Sequence, residues 1–341
     1  MKSAEHRVKS TNGSAATPQV GVIGMGSIGH THINAWQANG ITPVAFADAV
    51  PAALQATVAV NGGVAFDDGT KLIQSGTVDV VSICTPPLFH KDLAIAAAEA
   101  GVAVLCEKPL ARTLADAEAI AEAVGRTGTL FTVGFCHRFQ PEIEKLKAMI
   151  DGGELGDVIT FRNRFAGLMA NAHETWFSNP AIAGGGALAD TSVHSIDLFR
   201  YLIGEPVSVH AFLSTRETEH GPKLQVDDTA VLTLKTSEGV LGVIEASWRT
   251  PPGEWTVTVY GTRGTAIVDY KATTLRKQDV DGTWQHVPVE SGSRFDREFA
   301  HFLACWRGED TPRVTVEDGV AANRILEAAY HGEPAFQTIL T

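Results

Sequence analysis

A glycine-rich turn near the amino end constrains the fold of this chain more than any other feature. An apolar strand predicted over residues 19–23 runs into Gly24-x-Gly26-x-x-Gly29, and a helical pattern begins near Ser27. The first glycine permits a tight turn, the second lets the backbone approach a pyrophosphate, and the third lets helix and strand pack closely. The helix start offers unpaired N–H groups to phosphates. We therefore predict a dinucleotide bound against Gly24, Gly26, Ser27, Ile28 and Gly29.

An acidic residue after the next apolar run indicates which dinucleotide binds. Asp48 lies nineteen residues after Gly29 and ends the run of residues 43–47. A carboxylate at this place accepts hydrogen bonds from ribose hydroxyls and repels a 2′-phosphate. No Arg or Lys follows in residues 49–52. The sequence therefore favours NAD over NADP.

Length and charge limit the class of protein. The chain has 341 residues, which exceeds one ordinary core and suits two domains. Its net charge of −12, without a local basic stripe, argues against nucleic acid or an anionic membrane as a partner. No run of eighteen apolar residues predicts a helix across a bilayer.

The cysteines and the amino-terminal segment indicate the compartment. Residues 1–18 are polar and lack the apolar centre of a secretory signal, so we expect a disordered arm or one that wraps a neighbouring subunit. The cysteines lack the paired spacing of a zinc site, and small buried thiols in the cytoplasm are expected. They are Cys84, Cys106, Cys136 and Cys305.

Two patterns along the chain predict two domains. Over residues 19–138 short apolar strands alternate with helical stretches, which is typical of a doubly wound parallel α/β sheet covered on both faces. Later runs are longer, alternating and rich in β-branched and aromatic residues, which predicts an open, mostly antiparallel sheet over residues 139–341. One face would pack on helices, and the other is a candidate subunit interface because a bare open sheet aggregates.

Two segments follow apolar strands of the first domain. Ligands of a doubly wound sheet lie beyond the carboxyl ends of its strands. Glu107 and Lys108, after the strand predicted over residues 102–106, are therefore expected to face the cofactor; a surface lysine is the alternative. Thr85-Pro86, with His90, follows residues 78–84 in the same way, and a helix-entry histidine without a chemical role is the alternative for His90.

A third segment carries acid–base chemistry. Three glycines precede Asp190 and His194, which lie four residues apart in a predicted helix and so point the same way. A histidine carries protons near neutral pH, and a carboxylate one turn away orients it. A structural Asp–His pair is the alternative. Asp197 is expected to make a helix-stabilising or interdomain contact, and no third ligand marks a metal site.

These segments together resemble the Gfo/Idh/MocA oxidoreductase family (glucose–fructose oxidoreductase, inositol dehydrogenase, rhizopine catabolism). The resemblance covers nearly the whole chain after the arm. It rests on the glycine turn with His32, Thr85-Pro86 with His90, Glu107-Lys108-Pro109, Gly134-Phe135-x-x-Arg138-Phe139, and Gly184-Gly185-Gly186 with Asp190-x-x-x-His194-x-x-Asp197.

The resemblance implies a Rossmann domain, a domain with an open sheet, and dimers or tetramers formed through that sheet. It implies a catalytic set of Lys108, Asp190 and His194. His194 would be the acid/base, Lys108 would bind the reacting oxygen, and Asp190 would orient its neighbours. The implied reaction moves a hydride between a secondary hydroxyl of a sugar or cyclic polyol, such as an inositol, and NAD.

Further polar or amphipathic residues are candidates for the substrate pocket. Trp176 is the strongest of them because sugars stack on flat rings. Two alternatives remain: an NAD-dependent glycoside hydrolase that oxidises its substrate transiently, and an NAD-binding sensor without turnover. The pocket candidates are Arg138, Asn163, Arg164, His173 and Trp176.

Overall fold

The computed structural model describes residues 16–332, and the chain divides into two units. Unit 1 contains the described residues up to Cys136 together with Ser293–Val320, and unit 2 contains His137–Gly292 and the described residues from Ala321 onward. The predicted boundary after residue 138 lies two residues from the division, but residues 293–320 were not expected in the first unit. Of the predicted arm, residues 1–15 lie outside the described residues.

The described residues form fourteen strands and ten α-helices. The strands are β1 (Val20–Ile23), β2 (Ala45–Ala47), β3 (Val64–Phe66), β4 (Val80–Ile83), β5 (Ala103–Cys106), β6 (Phe131–Val133), β7 (Val158–Leu168), β8 (Pro206–Ser214), β9 (Thr229–Thr236), β10 (Leu241–Ser247), β11 (Arg249–Gly261), β12 (Gly264–Asp269), β13 (Thr274–Asp279) and β14 (Trp284–Val287). The helices are α1 (Ser27–Ala38), α2 (Pro51–Asn61), α3 (Gly69–Gln74), α4 (His90–Ala100), α5 (Leu114–Thr127), α6 (Pro141–Asp151), α7 (Pro180–Ala183), α8 (Val193–Leu202), α9 (Arg294–Trp306) and α10 (Val316–His331).

Unit 1 is the predicted doubly wound fold. Its six strands are all parallel, in the order β3-β2-β1-β4-β5-β6. Strands β1, β4 and β5 are buried along their whole length, because helices cover both faces of the sheet. The strand order reverses between β1 and β4, so the glycine turn after β1 lies at the switch point where such sheets bind ligands.

Helix α9 explains why residues 293–320 belong to unit 1. Its Phe299 packs edge-on against Trp36 of α1, with ring centroids 4.8 Å apart, and Phe302 does so at 5.9 Å. All three aromatic rings are fully buried. Burying such rings supplies a large hydrophobic contribution, so α9 completes the core of unit 1 although it follows the second sheet in the chain.

Unit 2 is built on one open sheet of eight strands, in the order β14-β13-β12-β11-β7-β10-β9-β8. Every neighbouring pair is antiparallel except β7 and β10, which run parallel. Helix α8 lies on one face, where Phe199 meets Phe161 edge-on at 5.5 Å. The alternation along β9 buries Leu232 and Leu234 on this face and exposes Val231 on the other. The prediction of an open, mostly antiparallel sheet is confirmed.

Within residues 16–332 no helix has both the length and the apolar character that crossing a membrane requires.

Candidate active site

The three glycines of the turn after β1 have three different surroundings. Gly24 has φ +97°, and a Cβ there would lie 2.7 Å from the backbone of Cys84. A Cβ on Gly29 would lie 1.9 Å from the carbonyl oxygen of Gly24, so α1 packs directly on the turn. A Cβ on Gly26 would meet no atom of the described chain within 4 Å. Gly26 therefore faces open space, as a backbone that receives a pyrophosphate must.

Asp48 lies directly after β2 and is tied to the glycine turn. Its Oδ2 accepts a hydrogen bond from the Met25 backbone N–H at 2.5 Å, and its Oδ1 accepts one from Val50 at 2.6 Å. These bonds fix the orientation of the carboxylate and leave acceptor capacity on both oxygens. The arrangement fits the ribose hydroxyls of NAD. Asp48 lies at the carboxyl end of β2, beside the glycine turn at the carboxyl end of the neighbouring strand β1.

Thr85 lies beside the glycine turn at the carboxyl end of β4. A Cβ on Gly24 would come within 2.9 Å of the Thr85 backbone nitrogen. The Thr85 hydroxyl oxygen is buried and has no hydrogen-bond partner among residues 16–332. An orphaned buried hydroxyl is costly, and a bound cofactor would relieve that cost. Pro86 follows it at the start of the short turn Pro87–Phe89.

His90, which was predicted to lie beside the cofactor, is a buried residue at the start of α4. Its Nε2 lies 2.7 Å from the carbonyl oxygen of Thr85, and its Nδ1 lies 3.0 Å from that of Pro109 and 3.2 Å from that of Leu110. Burial lowers the pKa of His90 below its ordinary value although these carbonyls oppose the shift. The ring therefore ties the loop after β4 to the loop after β5.

Glu107 makes a buried hydrogen bond to His32 that the sequence did not predict. Its Oε1 lies 2.9 Å from Nε2 of His32 on α1, and its Oε2 accepts from the backbone N–H of Lys108 at 3.1 Å. Burial acts to raise the pKa of Glu107, but His32 and Lys108 outweigh it and leave the pKa below its ordinary value. The Glu107 carboxylate thus holds the backbone at Lys108 and does not point outward. His32 was named only as part of the motif, and its contact with Glu107 gives that position a structural role.

Asp190 and His194 lie on successive turns of one helical stretch, but the stretch is not regular. Residues Leu188–Ser192 form a π-helical turn that holds Asp190, and α8 continues from it with His194 in its first turn. A π-turn inside an α-helix is uncommon and is frequent at functional sites. The glycines before it are closely packed, because a Cβ on Gly185 would lie 2.0 Å from the hydroxyl of Tyr330.

An aromatic group within unit 2 contacts His194 through the ring of His137. The ring of His137 lies 4.3 Å from that of His194, and its Nδ1 is 3.0 Å from the Tyr270 hydroxyl oxygen. Phe165 stacks on Trp255 at 4.7 Å beside them. Both histidines are at least nine-tenths buried. His137 occupies an unassigned position of the Gly134-Phe135-x-x-Arg138 motif, so no pattern in the sequence marked it.

Arg138 is held in a buried ion pair instead of lining a pocket as predicted. Its Nε donates to Asp197 Oδ2 at 2.9 Å and its Nη2 to Oδ1 at 2.6 Å, and both side chains are almost fully buried. The guanidinium also lies over the ring of Tyr201, 5.1 Å from its centroid. A bidentate pair of this kind fixes the chain before α6 against α8. The sequence left open a helix-stabilising or an interdomain contact for Asp197, and its ion pair with Arg138 lies within unit 2.

Asn163 and Arg164 point to opposite faces of the sheet, because successive residues of β7 alternate. Asn163 is fully buried on the helix-covered face, where its amide donates to the carbonyl of Thr256 at 3.0 Å. Its Oδ1 has no partner in the described part of the chain. Arg164 lies on the open face, paired with Glu245 at 2.5 Å and Glu254 at 3.1 Å. The two cannot line one pocket as predicted.

Trp176 belongs to a second aromatic group, which contacts the π-turn through Trp248. Its ring stacks on Phe177 with centroids 3.9 Å apart, and Phe177 meets Trp248 edge-on at 6.1 Å. The Trp248 indole N–H donates to the hydroxyl of Thr191, the neighbour of Asp190, at 3.0 Å. His173 lies on the preceding turn with its ring exposed near Glu174.

The predicted residues thus gather in two groups. The first group, in unit 1, lies at the carboxyl ends of neighbouring parallel strands. It contains the glycine turn after β1, Asp48 after β2, Thr85 after β4 and Lys108 after β5. In unit 2, Asp190 and His194 share one helical stretch, with His137 against the latter.

Comparison with known proteins assigns both units. Residues 19–135 match the model of an oxidoreductase family with an NAD-binding Rossmann fold, and residues 143–267 match the GFO/IDH/MocA C-terminal domain. A levoglucosan dehydrogenase from Pseudarthrobacter phenanthrenivorans is 33% identical over 74% of this chain and 73% of its own length. A myo-inositol 2-dehydrogenase from Thermotoga maritima is 30% identical over 89% of this chain and 92% of its own.

Solved structures give the same result. A levoglucosan dehydrogenase in complex with NADH and levoglucosan has a TM-score of 0.85 and 28% identity, and covers 92% of this chain and 96% of the other. The family resemblance drawn from the motifs is confirmed. The chain is a member of the Gfo/Idh/MocA family of oxidoreductases and carries that family's NAD-binding Rossmann fold.

Proposed function

We propose that this protein is an NAD-dependent dehydrogenase that acts on a secondary hydroxyl of a sugar or cyclic polyol. The observation that carries the proposal is the helical stretch with Asp190 and the buried His194, in a chain whose relatives include dehydrogenases of levoglucosan and of inositols. The open space at Gly26 and the orphaned hydroxyl of Thr85 support NAD as the cofactor.

The roles of the residues follow from the chemistry of a carbinol. Bound NAD supplies the hydride acceptor. Removing a hydride from the carbinol carbon requires loss of the hydroxyl proton, which neutral His194 accepts at a ring nitrogen. The ammonium group of Lys108 stabilises the negative charge that develops on the oxygen, and Asp190 orients its neighbours. The burial of His194 beside the ring of His137 limits the access of water to the imidazole.

Single substitutions test these roles. We expect Lys108→Ala and His194→Ala each to lower kcat by about 100-fold or more, since positioned acid–base groups contribute that much, while the Kd for NAD stays unchanged. Lys71→Ala is the matched control, because Lys71 is an exposed lysine paired only with Asp67 among the ion pairs of the described residues. Full turnover in either test variant would reject the assignment.

A substrate panel tests the reaction itself. Myo-inositol, scyllo-inositol, levoglucosan, aldoses and ketoses are each incubated with NAD or NADP, and reduced nicotinamide is followed by absorbance. We expect turnover of at least one polyol or sugar, with NAD preferred because of Asp48. Release of a free sugar from a glycoside without added NAD, or tight NAD binding with no turnover of any compound, would overturn the proposal.

We also propose that the protein forms a homodimer or homotetramer through the open face of the eight-stranded sheet. Large apolar side chains are exposed there on β8, β9, β10 and β11, and exposed apolar surface of this kind marks a candidate interface. They are Phe212, Val231, Leu241 and Tyr260. We expect Phe212→Glu to reduce the mass measured by light scattering, while Val280→Glu, at an exposed hairpin turn, leaves it unchanged. An unchanged mass in the first variant would contradict the proposed interface.

The cytoplasm is the compartment we propose. Its support is the state of the cysteines: none of the four forms a disulfide in the described structure, and three are buried. Burial raises the pKa of the Cys84 and Cys106 thiols well above its usual value, which keeps both as unreactive thiols. Fractionation of cells that express the chain with a small tag tests the location.

A further inference from the structure

Asp227 holds the start of the helical stretch that carries Asp190 and His194. Its Oδ1 accepts from the backbone N–H of Gly186 at 2.9 Å, its own carbonyl accepts from Ala187 at 2.9 Å, and its Oδ2 accepts from Leu188 at 2.7 Å. The first N–H groups of a helix have no partner within the helix. One residue from a different part of the chain, just before β9, thus satisfies three of them in succession.

Tyr330 of α10 completes this arrangement. Its hydroxyl donates to Asp227 Oδ1 at 2.8 Å and accepts from the Gly186 N–H at 3.2 Å. The two preceding glycines let these groups come close: a Cβ on Gly185 would lie 2.0 Å from the Tyr330 hydroxyl, and one on Gly186 would lie 1.7 Å from the Asp227 carbonyl oxygen. No side chain fits at either glycine. The contacts of Asp227 and Tyr330 with this segment are therefore possible only because residues 185 and 186 are both glycine.

The bonds of Asp227 end where the irregular turn begins. Leu188, the last residue it binds, is the first residue of the π-turn Leu188–Ser192 that contains Asp190. A π-turn is less stable than an α-turn, so its position along the chain needs an external constraint. The carboxylate fixes the residue from which the turn starts, and its negative charge matches the positive end of the helix dipole.

We propose that Asp227 and Tyr330 are positioning residues of the dehydrogenase: they fix the start of the π-turn and so the directions in which Asp190 and His194 are presented. This inference rests on the proposed function, because it assumes that these two side chains take part in the reaction. Neither Asp227 nor Tyr330 belongs to the sequence motifs that indicated the family.

The test uses Asp227→Asn and Tyr330→Phe in the full chain, with whichever compound of the panel is turned over fastest. Asn keeps the size of Asp but presents an NH₂ group to one of the two backbone donors that the carboxylate binds. We expect kcat to fall at least tenfold for Asp227→Asn and about threefold for Tyr330→Phe, with the Kd for NAD unchanged. Because chemistry then becomes slower than product release, the primary deuterium isotope effect on kcat should rise.

Asp228→Asn is the matched control. Asp228 is the next residue, is also buried, and is paired with Arg249 at 3.2 Å instead of with the glycine segment. We expect it to lower the melting temperature while kcat per folded molecule and the isotope effect stay at wild-type values. Hydrogen exchange of the peptide containing residues 186–188 should speed up in Asp227→Asn and not in the control.

Two failures can be told apart. Wild-type kcat and isotope effect in both Asp227→Asn and Tyr330→Phe, together with loss of turnover in His194→Ala, would overturn the positioning role and leave the proposed function intact. Full turnover in His194→Ala would instead reject the catalytic assignment on which the inference rests. If Asp227→Asn does not fold, Tyr330→Phe decides alone, because it removes a single hydroxyl group.

Discussion

Two glycines of the turn after β1 should respond in opposite ways to the same added methyl group. Gly26 has φ −77° and ψ −172°, an extended backbone that alanine adopts freely, and its Cβ would meet no described atom within 4 Å. We expect Gly26→Ala to change the free energy of unfolding by less than about 1 kcal/mol. The methyl group would occupy the space that a pyrophosphate needs, so the Kd for NAD should rise at least about tenfold, or about 1.4 kcal/mol.

Gly29→Ala should destabilise the fold. Its Cβ would lie 1.9 Å from the Gly24 carbonyl oxygen, whereas ordinary contact begins at 3.4 Å, so α1 would have to move away from β1. Overpacking of this kind costs about 1–3 kcal/mol. The better helix propensity of alanine returns about 1 kcal/mol at most, so the net effect remains a loss.

Urea unfolding and a titration of NAD by fluorescence measure both quantities for each variant. Gly26→Ala should lose affinity at nearly constant stability, and Gly29→Ala should lose stability. If Gly26→Ala binds NAD as the wild type does, the turn does not receive the pyrophosphate. If Gly29→Ala is as stable as the wild type, the close contact between α1 and the glycine turn does not contribute to the free energy of unfolding.

Two further predictions concern buried charge. Asp197→Asn should lower the free energy of unfolding by about 3–5 kcal/mol, because Arg138 loses its buried carboxylate. In urea unfolding, the double variant Arg138→Met, Asp197→Leu should be more stable than Asp197→Asn, because it leaves no unpaired buried charge. A double variant of equal or lower stability would contradict this reasoning. The pKa of His90 in the folded state is below its unfolded value of 6.5. As the pH falls below about 6.5, the unfolded state therefore binds more protons than the folded state, and the free energy of unfolding decreases until the pH reaches the folded pKa. His90→Gln should show a shallower loss over this window, and identical pH slopes would contradict the buried neutral ring.

Local pattern was enough to predict the parts of the fold that depend on it. The wholly apolar strands implied a covered parallel sheet, and the spacing of Gly24, Gly26 and Gly29 implied three separate roles that the geometry of their missing Cβ atoms matches. The membership of α9 in unit 1 was beyond such reasoning, because it depends on the contact of Phe299 with a helix more than 250 residues earlier.

The candidate site was less predictable, because a motif shows which residues occur together but not which partner each one meets. Arg138 was expected in a pocket, yet its charge is paired with Asp197 of another motif. Asn163 and Arg164 could have been separated from the sequence, since neighbouring strand residues face opposite sides. Asp227 carries no sequence signal, because its partners are backbone N–H groups of a distant segment.

The position of β7 in the second sheet has a consequence for biosynthesis. It lies between β10 and β11, so its neighbours leave the ribosome about 80 residues after it does. Pairing over such a distance is slow, and until it occurs the backbone N–H and C=O groups along both edges of β7 stay unpaired. A nascent chain that stalls before residue 241 would leave both edges of this strand without their native partners and open to association with other chains.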